Sequence, residues 1–215
     1  MLAGLLPLVA ATPASAATSV FINEIHYDNV GTDAGEAIEV AGPAGTDLTG
    51  WDIVLYNGAG GAVYDTDALS GTIPDLGGGF GVVVVTYPVN GIQNGSPDGI
   101  ALVDGADAVV QFLSYEGTFT AVGGPADGML SVDIGVTEGS SDPVGQSLQL
   151  TGTGTMYEDF TWAGTAPATF GAFNNGQTFG TGGGGDDDTV INEFVLNHTG
   201  TDTHEYVEIF GIPDT

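Results

Sequence analysis

Twenty-eight carboxylates and not one lysine or arginine set the chemistry open to this chain of 215 residues. The first cluster of acids falls between Asp28 and Glu39. Asp28, Asp33 and Glu36 share a glycine-containing loop with Asn29, and hard oxygen donors on such a loop are what Ca2+ takes at about six to eight coordination. No cofactor is expected, and calcium at Asp28, Asp33 and Glu36 is the one candidate. Their spacing fits neither the EF-hand loop nor the glycine-rich calcium nonapeptide. Aspartate and glycine also fill such loops simply because they turn the chain.

Acid–base hydrolysis asks for two carboxyls converging on a cleft. Glu24, Glu36 and Glu39 sit in or beside strands, and their spacing shows no convergence. The plainer reading has them facing outward, pairing with cross-strand hydroxyls and amides or capping backbone donors. His26, between Ile25 and Tyr27, reads as a half-buried strand histidine. No Gly-x-Ser-x-Gly elbow offers it a serine. His198 and His204 could meet on one transition-metal ion. Without lysine there is no P-loop lysine, and without arginine no arginine finger. The absence of cysteine removes thiol nucleophiles, disulfides and Cys-ligated zinc. The chain therefore reads as non-catalytic. A formal net charge of −28 also makes it a poor partner for nucleic acid, whose phosphates are held chiefly by lysine and arginine.

The elements that must position these residues are strands. The 37 glycines and 10 prolines separate short apolar runs, and no run carries a sustained helical period. Strands are expected at 20–27, 37–41, 51–56, 62–64, 80–87, 100–103, 109–113, 146–150 and 160–162. Asn57-Gly58-Ala59-Gly60-Gly61 and Asp104-Gly105-Ala106-Asp107 read as hairpin turns. The 80–87 run reads as buried on both faces, and residues 116–146 as a polar, loop-rich excursion. Trp51 and Trp162 are expected to plug the core. The fold class is all-β, an antiparallel sandwich with Greek-key connections.

Residues 1–17 read as a secretory signal peptide, with an apolar run from Leu2 to Ala11 and small residues at Ala14-Ser15-Ala16. The run is too short to span a bilayer, and no transmembrane span is expected elsewhere. Secretion to the exterior or the cell surface follows. Asn94-Gly95-Ser96 and Asn197-His198-Thr199 form glycosylation sequons, relevant only in a host that uses them. Residues 180–188, glycines and then three aspartates, read as an extended linker. After it the sequence restarts. Ile22-Asn23-Glu24 returns as Ile191-Asn192-Glu193, Asp33 as Asp202, Glu36 as Glu205 and Glu39 as Glu208, all at one offset. A first unit at 18–179 and the opening of a second at 189–215 are expected.

Several segments resemble the lamin tail domain, a family of immunoglobulin-like sandwiches. Ile22-Asn23-Glu24-Ile25 and Gly35-Glu36-Ala37-Ile38-Glu39-Val40 are similar to its first two strands. Asp47-Leu48-Thr49-Gly50-Trp51 resembles its tryptophan signature. Asp98-Gly99-Ile100-Ala101-Leu102-Val103 resembles its late strand, and Phe170-Gly171-Ala172-Phe173-Asn174-Asn175-Gly176-Gln177 its close. The resemblance covers residues 19–179 and the restart; the 116–146 excursion exceeds what a minimal member needs. It implies an accessory, adhesive or spacing module of a secreted multi-domain bacterial protein. Its partners would be neighbouring domains of the same polypeptide and a cell-surface or extracellular ligand. Two alternatives stand beside it: the first part of a secreted nuclease or phosphatase whose catalytic domain follows residue 215, and a calcium-stabilised structural repeat.

Overall fold

A computed structural model describes residues 18–180 with their side chains, and the backbone of two further strands, Val190–Val195 and Tyr206–Phe210. The expected signal peptide (1–17), residues 181–188 of the linker, residue 189, the second sequon, His198, His204, Asp202 and Glu205 lie outside the described residues.

Short strands with tight turns give a two-sheet sandwich. One sheet orders β10 (Phe160–Pro167), β9 (Gln146–Gly154), β1 (Phe21–His26), β2 (Ala37–Pro43) and β5 (Phe80–Thr86). A short strand, β11 (Gln177–Phe179), pairs in parallel with the far end of β9. The facing sheet orders β4 (Ala62–Ala68), β3 (Asp52–Asn57), β6 (Asp98–Val103), β7 (Val109–Tyr115) and β8 (Val132–Asp133). All neighbours are antiparallel except β7–β8 and β9–β11. The chain passes between sheets after β2, β4, β5 and β8, the interleaving expected of a Greek-key sandwich.

Apolar side chains from both inner faces make the central core: Ile22, Ile25, Tyr27, Ile38, Val40, Ile53, Leu55, Ile100, Leu102, Leu113, Tyr115 and Leu148. Tyr27 and Tyr115 stack at its heart with ring centroids 3.9 Å apart. Burial on this scale is the dominant favourable term where no disulfide helps. Trp51 and Trp162 do not plug this core. Both are half-buried at its margin, because Tyr27, just past β1, and Tyr115, at the end of β7, already fill the middle. The 80–87 run is likewise less enclosed than its composition suggests: Val83, Val84 and Val85 are half-buried, because β5 is an edge strand.

Both outer faces are covered as well. The 116–146 segment, read from sequence as a polar excursion, returns Phe119, Ala121 and Ala126 onto Val54, Tyr56, Ala101, Val103 and Phe112, on the outer side of the second sheet. Its own strand, β8, is only two residues long, too short for a periodic signal. On the first sheet Phe21, Ala41, Val82, Leu150, Phe160 and Phe179 form a third cluster, closed by β11.

The turns differ in one detail. The left-handed residue of the 104–107 turn is Asp107, at φ 62°, not Gly105. Asp104 shapes it by accepting from Ala106 N and Ala108 N, each at 2.9 Å. Gly61, at φ 71°, ends the 57–61 turn; a Cβ there would lie 2.4 Å from the Thr120 carbonyl, so that position needs glycine twice over.

In β1 one residue is extra. Ile22 faces Val40 and Glu24 faces Glu39, leaving Asn23 as a bulge. Strands β12 (Val190–Val195) and β13 (Tyr206–Phe210) pair antiparallel in the same register: Ile191 faces Ile209, Glu193 faces Glu208, and the irregularity falls at the same place.

Candidate functional site

Two polar clusters hold the residues that sequence marks for chemistry. The first lies past the end of β1. His26 is 2 % exposed and its Nδ1 lies 2.9 Å from Glu138 Oε1. The other oxygen of Glu138 accepts from Tyr27 N at 2.6 Å and Asp28 N at 3.1 Å. The Tyr27 hydroxyl in turn accepts from Glu138 N at 2.9 Å. His26 is thus a buried, paired residue and not the half-buried strand histidine expected. Burial alone would lower its pKa. The hydrogen bond and charge of Glu138, with the Ala34 carbonyl and Asn29 side chain, outweigh burial and raise it. Among the described residues this is the one ion pair.

Around this pair stand the three carboxylates marked as calcium ligands. Asp28 and Asp33 do come together: burial, followed by the hydrogen bond and charge of Asp33, lifts Asp28 above the usual carboxylate range. Asp33 accepts from Asn29 N at 3.1 Å through one oxygen and from Asn94 Nδ2 at 3.0 Å through the other. Glu36 accepts from Gly91 N and Ile92 N, each at 2.9 Å. Both of its oxygens therefore fasten the 88–92 turn to β2. Among the described residues no group of three or more His, Asp or Glu is arranged to hold a metal ion. Asp98, which sequence did not mark, works as Glu36 does, accepting from Gly58 N at 2.8 Å and Gly95 N at 2.7 Å.

The second cluster is the Glu24–Glu39 pair, neighbours across β1 and β2. Both are fully buried, where an outward face was expected. The cover of residues 167–177 accounts for the difference. Glu24 Oε1 accepts from Thr169 N at 2.7 Å and from the Ser147 hydroxyl; Oε2 lies 3.0 Å from the Thr169 hydroxyl. Glu39 accepts from Asn23 Nδ2 at 2.9 Å and Gly171 N at 2.7 Å. Asn174 ties the same segment down, donating to Asn23 O and Leu150 O at 3.0 Å each. Gln177 Nε2 donates to Asn23 Oδ1 at 2.6 Å.

Protons can be counted here. Both amide hydrogens of Asn174 are used, so its Oδ1 faces the Thr169 hydroxyl 3.0 Å away. One hydroxyl brings one hydrogen. Its contacts with Asn174 and with Glu24 are both hydrogen bonds when Glu24 Oε2 carries a proton. Burial, against four hydrogen bonds that oppose it, raises the pKa of Glu24 in agreement. Burial likewise lifts Glu39 to about 8, against Asn23 and Gly171 and with help from the Glu24 charge. The pair clasps the C-terminal segment of the unit, and burial disposes both carboxyls toward holding a proton.

Sequence pointed to Glu24 and Glu39 but missed their partners Ser147, Gln149, Thr169, Asn174 and Gln177 and, in the first cluster, Glu138. Only the closing Asn174-Asn175-Gly176-Gln177 run carried a signal. In both clusters the buried carboxylates accept from donors of the chain itself, which is a fastening chemistry. Comparison with models of known protein families, with characterised proteins and with solved structures finds no match.

Proposed function

We propose that the chain is a non-catalytic module of a secreted multi-domain protein, an immunoglobulin-like sandwich of the lamin-tail type that serves adhesion or spacing. The supporting observation is the β12–β13 pairing, which repeats the register and bulge of β1–β2 at the offset of the sequence restart. A unit whose opening hairpin recurs after a glycine–aspartate segment is built for serial arrangement. The saturation of Glu24, Glu36, Glu39 and Glu138 by the chain's own donors agrees with a fastening role. Contact with nucleic acid is disfavoured by charge. No helix among the described residues is long and apolar enough to cross a membrane.

The experiment is proteolysis at Asp186–Asp188 with an aspartate-specific protease. A fragment ending near residue 185 should be released and should melt cooperatively at the midpoint of the intact chain. Loss of the folded unit on cutting, or turnover of a phosphodiester, phosphomonoester or glycoside by the purified chain, defeats the reading.

Calcium stabilisation is the second reading, supported by the meeting of Asp28 and Asp33 with no basic side chain beside them but His26. Calcium at a hundred times its dissociation constant should stabilise by about 3 kcal/mol. Melting curves in calcium and in chelator check this, and superimposed midpoints remove it.

A further inference from the structure

The four sheet edges are not alike. Strand β4 carries Asp65 and Asp67, and β8 is two residues long. Strand β10 breaks register between Ala163 and Ala166 and ends in Pro167. Each of these is a recognised guard against pairing with a foreign strand: charge, shortness, a bulge or proline. Strand β5 has none of them. Its seven residues, Phe-Gly-Val-Val-Val-Val-Thr, pair with β2 in unbroken register from Thr86 opposite Ala37 to Phe80 opposite Pro43. Among the described residues no backbone hydrogen bond other than those to β2 reaches Val82 to Thr86. The alternate N–H and C=O groups on the far side are therefore open.

We infer that β5 pairs antiparallel with β5 of a second copy, joining the two six-stranded sheets across a two-fold axis. Charge selects this occupant. From Leu76 to Pro97 there is no charged residue, between Asp75 and Asp98; the carboxyl nearest β5 in the ladder is Glu39, buried opposite Val84. A cationic partner would find no carboxylate on the strand itself, Asp67 of β4 lying against Tyr87 just past its end, and would be drawn elsewhere on a chain of −28. A second copy meets an uncharged rim with its own; β10 is equally free of charge, but its register break and Pro167 guard it. The strand is also self-complementary: Val82 belongs to the outer cluster while Val83 and Val85 pack on the central one. An antiparallel mate thus extends both apolar layers, and a two-fold axis closes the assembly at two copies.

Because the remaining acids of the copies repel, pairing must strengthen with salt. Sedimentation equilibrium of the full chain tests this, from about 0.01 M to about 1 M sodium chloride, where the screening length shrinks from roughly 30 Å to roughly 3 Å. The dimer dissociation constant should fall at least about tenfold. Val84→Lys and Thr86→Lys should each raise it by about tenfold or more at high salt, with far-UV circular dichroism unchanged. If Val84→Lys fails to fold, Thr86→Lys, at an exposed position, decides. Hydrogen exchange of the wild-type chain supplies the second readout: amides of residues 82–86 should gain protection as concentration rises. A monomer at every salt concentration, a dimer indifferent to both lysines, or amides indifferent to concentration overturns the inference.

Discussion

Glu138→Ala is expected to cost about 4 kcal/mol of stability at pH 6, since removing one partner of a buried pair strands the other charge. Three groups lose their acceptor at once: His26 Nδ1, Tyr27 N and Asp28 N. The loss should depend on pH in a definite direction. Glu138 raises the pKa of His26 in the folded state. The pair's contribution is thus complete below the unfolded histidine value, about 6.5, and fades as pH climbs through the raised folded value. Urea unfolding of wild type and variant at pH 6 and pH 9 checks both statements. Equal losses at the two pH values would show that the lost backbone acceptors, and not the ion pair, account for the effect. Glu138→Gln keeps an acceptor without the charge and should fall between the two.

Stability should also climb as pH drops from 8 toward 5, the reverse of the usual acid response. Burial pushes Glu39 up to about 8 in the folded state, far above an ordinary glutamate, and Glu24 and Glu36 are raised by burial in the same sense. A carboxyl whose folded pKa is raised adds stability that is fully present below its unfolded pKa and is lost as pH rises through the folded one. For Glu39 alone the span is on the order of 3 kcal/mol, and each proton linked gives a slope of about 1.4 kcal/mol per pH unit. Relief of self-repulsion as other acids protonate acts in the same direction. Glu39→Gln removes the titration while exchanging one acceptor for a donor, so it should lower stability at pH 5 yet flatten the curve between 5 and 8. Parallel curves for wild type and variant would exclude Glu39 as the titrating group.

The layout of strands was legible because the code for it is local. Gly, Asn and Asp punctuate the chain, and β-branched runs fill the gaps, so the strands expected from Val20 to Trp162 appear near their places. The offset repeat of Ile-Asn-Glu was equally plain, and the paired registers of β1–β2 and β12–β13 follow it. What sequence hid was long-range. Glu138 reaches His26 across 112 residues and Thr169 reaches Glu24 across 145; no periodicity encodes such partners. Glu24 and Glu39 read as solvent-facing because nothing local shows that residues 167–177 return over that face, where Thr169 and Gly171 cover them. The 116–146 segment read as solvent loop because its apolar residues, Phe119, Ala121 and Ala126, are too sparse to form a pattern. Val83 to Val85 misled in the opposite sense: four valines in a row read as a central strand, and the register of β2 leaves them at the rim.

The cover over each sheet has one more result. An ordinary antiparallel sandwich turns its outer faces to water and can recruit a neighbour flat against them. Here Phe119 and its companions roof one side, and Phe179 with its aromatic neighbours roofs the other. Every residue of β1 and β6 is consequently buried, whichever way it points. Substitutions on either side of these strands should be punished alike, and sequence drift should concentrate in the loop ends and outermost strands. A partner laid against the Phe119 side would meet the roof, where Val122 and Leu130 stand exposed, and not the strands beneath.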